Sequence, residues 1–295
     1  AAAALSAAGS AGAADDYQHF KWTQAADGIW LGVTPPASFI SGNSVIIDLG
    51  GHALVVDPHI TEFTANEIIA KAREVAGPVK YLVNTHLHND HTQGNSAFKK
   101  AFPGVTIIAH KNTCWGVTAK AEPRSRYRLG KLGRELGEVK ANLPKVTDPK
   151  DRADLERVIA GNERYLEDAK TLQWVAPDVC LNLEPGQVHT IKEGGREVRI
   201  GYYGRAHTAG DLVVFLPREK LIANGDLWMA GGMGSGGGRD GSVVETPRTL
   251  RAIAALDFDT VLPGHGDLFK GKEALNKSIT STEALIAKVK ASYDA

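Results

Sequence analysis

Long hydrophobic runs are missing from this chain. No stretch of about 18 consecutive apolar residues occurs in its 295 positions, so no transmembrane helix is expected. An excess of charge is missing too. Basic and acidic residues number 34 each, which supplies no broad positive surface for nucleic acid. No G-x-S-x-G turn is present to carry a serine nucleophile, and no Walker-type loop to cradle phosphates. Cysteine is scarce: only Cys114 and Cys180 occur. An exported protein could pair them, and two buried free thiols fit equally well.

The first fourteen residues, AAAALSAAGSAGAA, are nearly all Ala, Gly and Ser. With Ala11-Gly12-Ala13 as a small-residue cleavage pattern, residues 1–14 look like the tail of a secretory signal peptide. An Ala-rich linker or cloning remnant is the competing reading. Export to a bacterial periplasm or beyond is the expectation. Residues 15–295 are read as one domain, because one ligand set recurs along repeated strand–helix units.

What the chain does have is concentrated in His86-Leu87-His88-Asn89-Asp90-His91. Three imidazoles and a carboxylate within six positions are costly to explain as structure. His86 and His88 alternate, so at a strand end they would point to one side. Asp90 and His91 follow a bend and can serve a second ion. Imidazole with carboxylate suits zinc best, with iron or manganese as alternatives. The same residue types return downstream at His207 in GRAHTAGD, Asp226 in ANGDLW and His265 in LPGHGD. Each follows an apolar or strand-like run and opens a Gly-containing loop, as expected for a site on one edge of a sheet. His19, His52, His59, His110 and His189 are not assigned to metal.

The ordered set HLHNDH, HTAGD, GD and PGHG resembles the metallo-β-lactamase superfamily over about residues 28–270. The resemblance implies an α/β (α+β) fold, a four-layer αββα sandwich with the metals in a groove at one edge. It implies that His86, His88 and His207 bind a first divalent ion, that Asp90, His91 and His265 bind a second, and that Asp226 bridges them. Asp57, at the end of a strand, would orient a ligand histidine; a cap before Pro58 is the plainer alternative. The expected activity is metal-dependent hydrolysis of an ester, lactone, thioester or related bond in a small molecule. Asp90 and Asp226 are the carboxylates at the reaction. A bridging aspartate differs from the Cys or Ser usual in true lactamases of the family, although Asp90, His91 and His265 resemble the subclass B3 set, so a B3-like β-lactamase is the runner-up. A non-hydrolytic metal-binding or diiron redox protein is the alternative of another class. Diiron members typically carry Glu at the position of His88 and depend on a flavodoxin partner absent from this chain.

Strands are expected within 28–33, 38–57, 80–84, 105–110 and 179–216, and helices over 63–76, after His91 and over 272–292. Residues 112–176 are charged and helix-rich, an insertion of two or three helices. An amphipathic pair packed on the domain, a wall of the substrate groove and a contact in a homo-oligomer all fit the pattern. The run GGMGSGGG at 231–238 holds six glycines and cannot keep a fixed shape alone. It would be either a loop over the substrate or a surface excursion.

Overall fold

The computed structural model describes residues 19–34, 41–231 and 240–294. The expected signal-peptide tail and nearly all of the glycine run therefore lie outside the described residues. Two sheets form. The first contains seven strands in the order β1 to β7: Lys21–Ala26, Ile29–Val33, Ser44–Asp48, Ala53–Val56, Val79–Val83, Thr106–His110 and Val179–Leu181. The second contains β8 (Gln187–Glu193), β9 (Arg196–Tyr202), β10 (Leu212–Leu216), β11 (Leu221–Gly225), β12 (Thr260–Pro263) and β13 (Phe269–Lys270), ordered β13-β12-β11-β10-β9-β8.

Alternation along the strands decides what each layer buries. Leu31, Val45, Ile47, Leu54 and Val56 of the first sheet meet Val198, Ile200, Val214 and Leu221 of the second, forming the core between the sheets. The opposite side chains of the first sheet, among them Ile46, Val55 and Ile107, pack with α1 (Glu62–Val75) and α2 (Asn95–Ala101). Those of the second, among them Val213, Phe215 and Ile222, pack with α5 (Thr246–Ala254) and α6 (Glu273–Asp294). The result is the expected αββα order. Thr61 starts α1 with a capping box, accepting from Thr64 N while Thr64 Oγ1 accepts from the Thr61 amide.

Some boundaries differ from the sequence expectation. Strand β1 is half exposed along its length, so it lacks the apolar alternation that announces a strand. The Asp27-Gly28 turn that joins it to β2 was the available signal. His86 and His88 are not on a strand. β5 ends at Val83, and the two histidines follow in a loop before a 3-10 turn, Asn89–His91. The conclusion that they converge holds, but loop geometry and not strand alternation produces it.

The insertion is a helical pair, α3 (Lys111–Asn142) and α4 (Pro149–Asp168). Leu132 of α3 and Tyr165 of α4 share a small core with Ile60 and Phe63, which ties the pair to the start of α1. Tyr127 of α3 stays exposed. Cys114, in the first turns of α3, forms a disulfide with Cys180 of β7. Among the described residues no helix is long and apolar enough to cross a membrane.

The cross-link closes a loop of 66 residues, so it removes considerable freedom from the unfolded chain. Its loss through Cys114→Ser with Cys180→Ser should cost about 2–4 kcal/mol. Denaturant midpoints of the variant and the oxidised protein check this; equal midpoints would show that the bond is thermodynamically idle.

Candidate metal centre

The site forms where loops leave the same edge of both sheets. The first sheet supplies His86, His88, Asp90 and His91 from the segment after β5. The second supplies His207 before β10, Asp226 directly after β11 and His265 after β12. Among the described residues, two clusters with ligand-type atoms within 4.8 Å emerge: His86, His88, His207 and Asp226 in one, Asp90, His91 and His265 in the other. All seven residues singled out from sequence are thus brought together.

The contacts inside the clusters are those of donors meeting around a cation. His88 Nδ1 lies 3.1 Å from His86 Nε2 and 2.9 Å from His207 Nε2. Three imidazole nitrogens that close share at best a few protons, whereas three lone pairs turned inward fit one ion. Asp226 borders both groups. Its Oδ2 is 3.7 Å from His86 Nε2, 3.6 Å from His207 Nε2 and 3.3 Å from His265 Nε2, and its Oδ1 is 3.5 Å from His91 Nε2. Asp90 Oδ2 completes the second cluster at 3.6 Å from His91 Nε2 and 3.4 Å from His265 Nε2. His91 Nε2 is buried and makes no hydrogen bond, so its outward nitrogen is turned toward the space that an ion would fill. The donor set fits two divalent ions.

Asp57 orients this set, as the resemblance implied. Its Oδ2 accepts from His91 Nδ1 at 2.8 Å and from Thr85 Oγ1 at 2.7 Å, and its Oδ1 accepts from the Thr85 amide at 2.7 Å. Thr85 Oγ1 in turn lies 2.9 Å from His86 Nδ1. One carboxylate therefore fixes a ligand histidine in each cluster, directly or through Thr85. Asp57 itself takes a left-handed backbone, φ 60°, a conformation non-glycine residues rarely adopt and that functional sites tend to hold.

The charges are arranged for cations. Burial opposes protonation of His91, yet the carboxylates of Asp226, Asp57 and Asp90 raise its pKa well above the ordinary histidine value. Burial likewise opposes charge on His265, and hydrogen bonds to Asp226 and Asp90 lift it to about 9. Burial would raise Asp226, but His91 and His265 hold it well below the usual carboxylate range. His86, buried and next to His91, is pushed down.

Several supporting residues escaped the sequence reading. Thr85 is one. Another is Asp211, whose carboxylate accepts from the Thr208 amide and hydroxyl and so shapes the loop carrying His207; burial raises it to about 6. Gly264 is a third: a Cβ there would stand 2.2 Å from Asp226 Oδ1, so only glycine leaves space for that carboxylate. His110, by contrast, is structural. It caps α3, lies 3.0 Å from the Leu183 carbonyl through Nε2 and stacks on Tyr202 at 4.1 Å.

The model of the metallo-β-lactamase superfamily matches residues 37–265, and the chain belongs to that superfamily. No curated protein matches it significantly. Solved structures similar in fold include a metallo-β-lactamase from Pontibacter korlensis, 16% identical with a TM-score of 0.64, covering 90% of this chain and 99% of that one. A metallo-β-lactamase from Erythrobacter litoralis, with β-mercaptoethanol in its active site, is 19% identical at a TM-score of 0.60, covering 91% and 98%. FIM-1 from Pseudomonas aeruginosa, in its mono-zinc form, is 17% identical at 0.61, covering 90% and 96%.

Two outcomes test this geometry. Gly264→Ala should displace Asp226 and lower metal affinity by about tenfold or more, comparable to losing an orienting partner; competition with a chromogenic chelator measures it. Metal uptake near neutral pH should release protons from His91 and His265, because the carboxylates around both favour their protonated forms and both must be neutral to coordinate. Apparent affinity should therefore fall as pH drops. Calorimetry in buffers of different ionisation enthalpy reads the release, and no proton release would contradict the charge assignment.

Proposed function

We propose that the protein is a dinuclear metal-dependent hydrolase of small-molecule esters, lactones, thioesters or related bonds. The observation that carries this reading is the placement of Asp226, whose two carboxylate oxygens face both ligand clusters. Two divalent ions, zinc by ligand type, would lower the pKa of a water to ~7 and polarise the bond to be cleaved. The chain's own residues do the rest. Asp226 holds the two ligand groups at one spacing. Asp90, buried beside His91 and His265, is placed to orient the water and accept its proton. His91 is kept in one orientation by Asp57. His88 and His265 keep 26% and 31% side-chain exposure, so substrate approaches over these two rings.

A second reading, β-lactam hydrolysis, draws support from the solved structures similar in fold, each a metallo-β-lactamase. At such low identity they share a fold with this chain, and the aspartate at position 226 favours the ester-type reading. The disulfide Cys114–Cys180 supports an oxidising location, periplasmic or secreted.

Metal-replete protein should contain about two ions per chain, and Asp226→Asn should lower both the second equivalent and turnover, since a neutral amide bridges two cations poorly. Elemental analysis with kinetics on a panel of aryl esters, lactones, thioesters and β-lactams is the measurement. One ion under excess metal would sink the dinuclear assignment. A kcat/KM of about 10⁵ M⁻¹s⁻¹ or more on β-lactams, ordinary for a dedicated enzyme, would replace the ester reading with the lactam one.

A further inference from the structure

The insertion reaches the candidate centre through α3. Asn112 Nδ2 donates to the Ala209 carbonyl at 2.7 Å and Thr113 Oγ1 to the Gly210 carbonyl at 2.9 Å, both in the loop that carries His207. Gly116 lies against Leu87, between the two ligands His86 and His88; a Cβ at that glycine would come within 2.9 Å of the leucine. Cys114 fastens this part of the helix to β7. The first turns of α3 are therefore a fixed wall beside the first ligand cluster.

That wall carries two side chains that neither packing nor the metal ligand set explains. Trp115 is 61% exposed, an unusual placement for so large an apolar surface. Lys120 Nζ sits 5.0 Å from the centre of its ring. The same ammonium lies 3.2 Å from Asp240 Oδ1, and Asp240 Oδ2 lies 3.5 Å from His88 Nε2. Both oxygens of Asp240 thus face a neighbour, one a lysine and one the ring nitrogen of His88 directed away from the cluster. Lys120 is held on one side by Asp240, and its side chain remains 40% exposed. An ammonium has three protons to donate, so one ion pair leaves donors for a ligand.

We propose that Lys120 and Trp115 form the substrate-selecting subsite of this chain, which takes a carboxylate adjoining a flat apolar group. The apolar part lies along the tryptophan, and the carboxylate meets the ammonium that Asp240 keeps beside His88. The subsite deepens the hydrolase reading, since it names the class of acyl or lactone substrate that reading leaves open. Lys120 is preorganised, so little side-chain freedom is lost on binding. The distance chain from the ammonium through Asp240 to His88 sets the carboxylate on the side of the first cluster.

Equilibrium binding of 1-naphthylacetate and its neutral isostere 1-naphthylacetamide tests this. The full chain is used, first stripped of metal so that carboxylate coordination and turnover play no part, then loaded with zinc. In the stripped protein the acid should bind about five- to tenfold more tightly than the amide, the size expected of a partly exposed charge-assisted contact. Lys120→Gln should bring that ratio close to one, Lys120→Arg should retain most of it, and Trp115→Ala should weaken both ligands alike. Circular dichroism and metal content confirm that the variants remain folded and competent. A ratio near one in the unaltered protein, no binding of either probe at millimolar concentration, or an unchanged ratio in Lys120→Gln would each overturn the proposal. Failure of every ester, lactone and thioester to turn over would count against hydrolysis alone, because the ratio is read at equilibrium.

Discussion

A buried carboxylate, Asp57, is the constraint around which the rest is arranged. It ends β4 in a left-handed conformation and accepts from Thr85 and His91. An ionised carboxylate in such a place is costly unless its oxygens are fully engaged. Burial does raise its pKa, and the charge on His91 opposes that rise. The energetic demand of this one group dictates where the segment after β5 must lie. The Thr85 carbonyl then accepts from the Leu212 amide, which carries the alignment across to the second sheet. Metal geometry is thus inherited from a hydrogen-bond arrangement that contains no metal.

The fold and the ligand set were unusually legible in the sequence, and for different reasons. The αββα layering was what the resemblance carried by HLHNDH, HTAGD, GD and PGHG implied, while local periodicity encoded the separate strands and helices. The seven ligand-type residues stood out because imidazole and carboxylate clusters have few structural uses. What periodicity could not reveal was the half-exposed β1, where burial is too weak to imprint a pattern. Nor could it show that His86 and His88 lie in a loop. Asp240 was invisible for another reason. It is an ordinary acidic residue beside a glycine run, and its meaning comes from Lys120 and His88, both remote in sequence. Thr85 and Gly264 belong to the same class: a hydroxyl and a missing side chain acquire roles only through their neighbours.

The insertion meets the rest of the domain at two places along its length. Its distal part, with Leu132 and Tyr165, is packed on the start of α1, which is the plain amphipathic pair. Its proximal turns lie along the His207 loop and Leu87. A long helix anchored at both places transmits position rather than flexibility. Variation in such a helix can alter the groove without touching the ligands, which is how one rigid scaffold accommodates different substrates.

The division of ligands between the sheets has a mechanical meaning. Four come from the first sheet's segment and three from the second's loops, so each ion, when bound, would span the seam between two halves that also meet through an apolar core and a few hydrogen bonds such as Leu212 N to the Thr85 carbonyl. Ions in that position would act as rivets. Any fluctuation that slides one sheet over the other must break coordination bonds in both clusters together, and ion activity in the surroundings adds directly to the cost of opening. Metal supply would then set how readily the two sheets part as well as whether the site is complete.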